Sequence, residues 1–406
     1  MTTTGVVLRR DWLSGWCGWL MVGAAALAPL LAWLGPLAFA ILVAGVGLLA
    51  LPAVRMTDED RPGLIALFAL LIWAAVSTTW SPYHPKHVED GTVLKMAFEL
   101  PLYWSAVCAA RRAEPRLAKL ALGVFAFGFT ALGVVLLAEA ATGAAIYRSL
   151  HVAFYEPIRP DFAIRNVAQA TFILALLWPL ASLGAPAKLR VWLAALMALS
   201  AGIAAHVFQS DAPVVAVALA PIVGLAVYRW PRGGPRVLAG IVAAFFLTMP
   251  AVVWGARALA GYTELENAIP LSWGERLGYW SHAVDWIADR PLQGWGLDAS
   301  RMFGPGIVLH PHDAALQVWL ELGTIGALSA AVFWGVTLPR LSRPAPSLAA
   351  AATAASSAVF LLFLAINFGV WQEYWLALGA LVAVLDAMQC RAAPGAPLST
   401  SHPYWG

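Results

Sequence analysis

The chain has 406 residues, of which 61% are apolar and only 12% charged, against about 25% charged in soluble domains. This excludes an ordinary soluble enzyme and predicts an all-α polytopic membrane protein; the 20 Trp, many near the ends of apolar runs, suit membrane interfaces. The net charge of +3 says little as a total, and the three cysteines (Cys17, Cys108 and Cys390) have neither metal-ligand nor disulfide spacing.

In chain order, the apolar runs predict about twelve transmembrane helices, each needing about 20 residues. They fall near 13–33, 36–54, 63–80, 92–110, 117–140, 166–184, 189–208, 212–229, 236–256, 314–338, 347–366 and 371–389. A cleaved signal peptide competes for the first run. A second run follows almost at once, however, so the pair reads as a helical hairpin.

With the amino terminus cytoplasmic, 16 of the 25 basic residues fall in cytoplasmic loops, among them Arg9, Arg10, Arg55, Arg111, Arg340 and Arg391. This is the sign that the positive-inside rule requires. Lys86, Lys95, Arg148, Arg159, Arg165, Arg257, Arg276, Arg290 and Arg301 remain on the other side.

Two outward loops are long, 142–165 and 257–313. The second has about sixty residues, beyond an ordinary connector. The chain therefore reads as one integral membrane domain, 1–406, within which the 257–313 loop, and any chemistry on it, faces the periplasm or the cell exterior. No internal repeat, Walker motif, Gly-rich nucleotide loop or basic tail is present, which argues against soluble nucleotides and nucleic acid as partners.

Inside the large loop, Trp273, Leu277, Trp280, Val284 and Ile287 recur at helical spacing, with Glu275, His282, Asp285 and Asp289 opposite. This predicts an interfacial helix over 272–290, started by a Ser272/Glu275 capping box and stopped by Pro291. Arg276, in its first turn, is unfavourable for the helix dipole, which is compatible with a functional cation.

The loop closes on His310-Pro311-His312-Asp313. Asp313 is a plausible N-cap for the span that follows, which puts His312 where loop meets membrane. Asp313, Gln317 and Glu321 then share one face, and a carboxylate two turns into a membrane faces a cavity or a partner. Gly323 and Gly326 read as packing residues.

These residues resemble the bacterial O-antigen ligase and polymerase superfamily. His312-Asp313, nine residues, Gly323, two residues, Gly326 is similar to its signature, with Asp313 in place of the usual Asn. Arg276-x-x-x-Trp280 followed by Pro291-Leu-x-Gly294-x-Gly296 resembles the same family's loop, and Arg165-Asn166 resembles an Asn-containing element. Where the family often carries Ser-Arg-Gly, its arginine thought to hold donor phosphate, this chain has Ser210-Asp211-Ala212. Either Arg159 or Arg165 would then supply the cation, or the donor would be held differently.

The resemblance implies transfer of a glycan from undecaprenyl diphosphate to an acceptor hydroxyl, on a lipid A-core or another glycan, at the periplasmic face of the bacterial inner membrane. His312 is the expected base and Arg276 the expected diphosphate ligand. Arg159, Arg165, Asn166, Arg301, His310 and Trp280 are further donor-binding or orienting candidates, with Asp313 or Glu321 orienting His312. The partners expected are donor, acceptor and membrane lipids, with inversion at the anomeric carbon and no cofactor. No Asp-x-Asp or ligand cluster stands in an outward loop, so no metal is expected, and His84 and His87 read as polar loop residues. A polymerase with a lipid-linked acceptor is the alternative. A twelve-span transporter is a third reading, to which a Lys95/Glu99 pair in the fourth span would be relevant.

Overall fold

The computed structural model describes residues 3–259 and 261–393, with side chains from residue 12 onward except Thr263. The side chains of Arg9 and Arg10, counted above as cytoplasmic, lie outside the described residues. The chain is an all-α polytopic membrane protein, and among the described residues there is no strand.

Among the described residues, fifteen α-helices follow one another: α1 Thr3–Leu34, α2 Ala38–Leu49, α3 Arg61–Ser77, α4 Thr92–Arg112, α5 Pro115–Thr142, α6 Ala145–Phe154, α7 Pro160–Leu183, α8 Arg190–Val207, α9 Asp211–Arg229, α10 Gly234–Arg257, α11 Tyr262–Ala268, α12 Leu271–Asp289, α13 Ala314–Thr337, α14 Leu348–Ile366 and α15 Glu373–Ala392. Ten are long and apolar enough to cross a membrane; α2 and α3 are apolar but shorter. At 1.5 Å per residue, the 12 residues of α2 reach only about 18 Å. The remaining helices α6, α11 and α12 lie in the two long loops.

The bundle centres on α7, where Ile173, Leu174, Leu176, Leu177 and Leu180 are fully buried. Small residues let its neighbours close in. Ala212, Ala216 and Ala220 of α9 are buried at four-residue steps. One step further, a Cβ on Gly224 would lie 3.6 Å from the Ala351 carbonyl and 3.7 Å from Ala355 of α14. The loops cluster as the charge distribution groups them. Asp60 holds Arg111 at 2.8 Å and Arg340 at 3.7 Å, and Arg391 donates to the Ala113 carbonyl. Ser81, His312 and Trp273 bond to Leu297, Asn367 and Asp211 at the other end.

The span after His312 is not one continuous helix. α13 breaks at Gly323, whose backbone turns to φ 63°, ψ −160°. Buried carbonyls freed by such a break need other donors. Trp295 N–H reaches the Leu320 carbonyl at 2.8 Å, Gly296 N–H the Glu321 carbonyl at 2.7 Å, and Trp73 Nε1 the Leu322 carbonyl at 2.9 Å. On the other side of the break, Thr324 N–H donates to the Pro291 carbonyl at 2.9 Å. The 291–296 segment is thereby stitched to the interior of α13. Glycine is needed on both sides: a Cβ on Gly294 would lie 2.5 Å from the Glu321 backbone, and one on Gly323 would lie 2.4 Å from the Leu292 carbonyl. Gly323 is thus more than the packing residue expected from the sequence.

Two local expectations are corrected. α12 starts at Leu271 behind Pro270, with no side-chain cap. Pro270 fixes the helix start ahead of Ser272, so the Ser272/Glu275 box is not used. Lys95 pairs with Glu373 at 2.7 Å, not with Glu99, which accepts from the Tyr103 hydroxyl at 3.0 Å.

Gly294→Ala and Gly323→Ala should each destabilise the protein by several kcal/mol. A left-handed alanine costs about 1–2 kcal/mol and an overpacked contact about 1–3 kcal/mol. The expected result is a lower unfolding temperature in detergent for both. Gly240→Ala, where a Cβ meets nothing within 4 Å, should match wild type.

Candidate functional site

The His310-Pro311-His312 turn is held in a conformation that non-glycine residues seldom adopt. Leu309 and His312 have φ of 65° and 56°. Strain of this kind, on the order of 1–3 kcal/mol per residue, persists only where surrounding contacts enforce it. Here Trp280 Nε1 of α12 donates to the Pro311 carbonyl at 3.0 Å, and the His312 N–H donates to His310 Nδ1 at 3.1 Å. The two imidazoles lie 4.2 Å apart, and Tyr279 stacks on His312 at 6.0 Å.

The bonding assigns tautomers. His310 Nδ1 accepts, so its proton sits on Nε2. His312 Nδ1 lies 2.8 Å from the Asn367 carbonyl, which can only accept, so His312 carries its proton on Nδ1 and keeps Nε2 bare. Burial pushes His310 down to about 3, reinforced by the charges of His312, Arg301 and Arg276. Burial also lowers His312, against the Asn367 bond, and Arg276 lowers it further. Both rings are therefore neutral at pH 7, and His310 is too weak a base to act there.

Arg276 is half-buried on the second turn of α12. Its Nη1 donates to the Ser272 carbonyl at 2.5 Å and its Nη2 to Asn367 Oδ1 at 3.2 Å, while its guanidinium lies 5.2 Å from the Trp273 ring centroid. Its Nε is buried without a protein partner. Burial lowers its pKa, with Glu275 and Asp211 opposing, but a guanidinium stays charged in this range. Asp211 accepts from Trp273 Nε1 at 3.2 Å.

Asn367 also lines a cavity of about 330 Å³ between the start of α7 and the α8–α9 turn, together with Arg165, Gln169, Gln209 and Ser210. Arg165 has no carboxylate within ion-pair distance among the described residues. The structure thus brings together His312, Arg276 and, through the Asn367 cavity, Arg165.

Other candidates are engaged elsewhere. Arg159, which does not line the cavity, binds at 2.9 Å to Asp161, which does. Asn166 donates to the Tyr147 hydroxyl at 3.4 Å and so ties α7 to α6. Arg301 pairs with Asp298 at 3.0 Å and lies over the Tyr83 ring. Among the described residues, the hydrogen bonds of Asp313 and Glu321 go to groups other than the His312 ring. Asp313 Oδ1 accepts from the Leu316 N–H at 2.8 Å, the N-cap that the sequence predicts, and burial raises its carboxyl to about 7. Glu321 is wholly buried and gathers Trp371 Nε1 at 2.6 Å, the Ser300 hydroxyl at 2.6 Å and Gln317 Nε2 at 3.1 Å. It needs these donors because a lone carboxylate at that depth is costly. Among the described residues, no group of three or more His, Cys, Asp or Glu side chains is placed to hold a metal.

Residues 193–331 match the family model described as O-antigen ligase. This segment, about a third of the chain, is similar to the O-antigen ligase family. A Rickettsia conorii protein provisionally named a polysaccharide ligase is 27% identical over 124 residues, covering 27% of this chain and 30% of that protein. The chain thus spans about a third of the length of the curated relative it matches. No solved structure matches the chain. The matched segment contains Arg276, His312 and Gly323, whereas Arg165 and Asn367 lie outside it. Sequence reasoning missed Asn367, Gln169 and Gln209. Asn367 ends an apolar helix with no periodic spacing to mark it, and only its place at the outward end of a span could have drawn notice.

Glu321→Ala would leave three buried donors without an acceptor, at about 1–3 kcal/mol each. It should abolish folded protein on size-exclusion chromatography. Glu321→Gln, which keeps one acceptor, should remain folded and active, as expected of a structural carboxylate.

Proposed function

We propose that the protein is a membrane-bound, O-antigen ligase-like glycosyltransferase. It moves a glycan from undecaprenyl diphosphate to a hydroxyl of a lipid A-core acceptor at the periplasmic face of the inner membrane. The observation that carries this reading is the bare Nε2 of a neutral His312, fixed by the Asn367 carbonyl beside a charged Arg276.

The acceptor hydroxyl gives its proton to His312 Nε2 as its oxygen bonds to the anomeric carbon. The bond from that carbon to the diphosphate oxygen breaks with the electron pair leaving on the diphosphate, and the anomeric centre inverts. General-base assistance of this kind contributes a factor of about 10²–10⁴. Arg276 and Arg165 stabilise the departing diphosphate, as a guanidinium does well through paired donors. Trp280 contributes by fixing the histidine turn. The polar Gln169, Gln209 and Ser210 suit sugar hydroxyls.

The test is complementation of a deletion strain with wild type, His312→Ala and Arg276→Ala at equal membrane expression. The deletion should leave complete core without a polymer ladder and should accumulate polymer on the lipid carrier. Both variants should fail to restore the ladder, with in vitro rates down by about 10²-fold or more. Full complementation by both would overturn the assignment, and single repeat units on the core would point to a polymerase. Because His312 must be neutral, kcat/KM should fall as pH drops through its pKa. Burial and Arg276 place that inflection below 6.5, the ordinary value.

A further inference from the structure

The geometry points to Asn367 as the positioning residue that sets the base and the cation of the site as one unit. This rests on the roles of His312 and Arg276 proposed above. Asn367 offers two acceptors in two directions: its backbone carbonyl takes the His312 Nδ1 proton at 2.8 Å, and its side-chain Oδ1 takes Arg276 Nη2 at 3.2 Å. One fixes the tautomer that leaves Nε2 bare. The other aims a guanidinium whose further contacts, the Ser272 carbonyl and the Trp273 ring, are both local to α12.

The platform beneath Asn367 is rigid. Its N–H and that of Phe368 both donate to the Phe363 carbonyl at 2.9 Å, closing the end of α14. Phe368 is buried and stacks on Trp375 at 4.2 Å. The Val370 N–H donates to Gln317 Oε1 at 3.0 Å, fastening the same turn to α13. Gly369 admits the His310 ring, which would lie 3.1 Å from a Cβ at that position. The turn between α14 and α15 is therefore a third wall of the site, beside the large loop and the α7 cavity.

The residue type is specific. A neutral amide oxygen orients Arg276 without neutralising it. A carboxylate there would pair with the guanidinium and compete with a diphosphate.

The full-length protein in nanodiscs would be assayed with lipid-linked glycan and lipid A-core extracted from the deletion strain. Asn367→Ala should lower kcat/KM by about 10- to 100-fold, the worth of one hydrogen bond to a charged group. KM for the donor should rise, and the acid limb of the pH profile should stay in place because the carbonyl remains. Asn367→Asp should lower kcat/KM further and move the acid limb towards neutrality, since its charge favours protonated His312. A merely structural Asn367 predicts the opposite: Asn367→Asp, which preserves shape and the acceptor, would match wild type in KM and in acid limb. That result overturns the inference. Should Asn367→Ala fail to fold, Asn367→Asp decides alone by the same criterion. Wild-type rates in His312→Ala and Arg276→Ala would instead overturn the underlying reading, so the two failures are distinguishable.

Discussion

The structure depends on a repaired break. Gly323 interrupts α13 among buried residues and releases main-chain carbonyls with no water to meet them. A chain in lipid cannot leave such groups bare. The 291–296 segment supplies two of the missing donors from its own backbone and α3 supplies a third through Trp73. The large loop is therefore hydrogen-bonded into the bundle rather than resting on it. The helices that carry Arg276 and follow the strained histidine turn, α12 and α13, are the two that this junction ties together.

Burial has a chemical consequence at the site. Two imidazoles side by side, both desolvated and both near arginines, are kept neutral. Hydrogen bonding then distinguishes them: His310 spends its Nδ1 lone pair on a backbone amide, whereas His312 spends its Nδ1 proton on a carbonyl. The same residue type therefore takes a structural role at one position and offers a lone pair two residues later. Glu321 shows the same principle for a carboxylate. Surrounded by three donors, it is a clamp, although its place two turns into a membrane span suggested function.

Much of this was legible in the sequence. Apolar runs and charge asymmetry located the helices and sorted their loops, because membrane thickness and backbone satisfaction leave few solutions. The Asp313 cap was visible because it is a local, side-chain-to-backbone motif. Arg276 stands out in the sequence because a cation near a helix start opposes the dipole, and His312 because it lies where loop meets span. What the sequence did not disclose is which distant groups meet. The acceptor for His312 is a backbone carbonyl, and every residue has one, so no residue type could flag Asn367. Likewise the Ser272/Glu275 box satisfied its pattern but lost to Pro270. The contrast between Arg165, which lines a cavity, and Arg159, which turns to Asp161, depends on where α7 begins relative to α8 and α9.

The backbone-to-backbone seam between Gly294 and Gly323 also bears on how such a protein can be altered or inherited. The large loop looks like an insertion that could be exchanged between relatives to change what is transferred. Its anchoring partners, however, are main-chain atoms inside α13. A grafted loop would arrive without the matching break, or the break would remain without its donors. Loop and helix therefore form a single transplantable unit. A chimera that respects the seam must take both, from the start of α12 through the far half of α13.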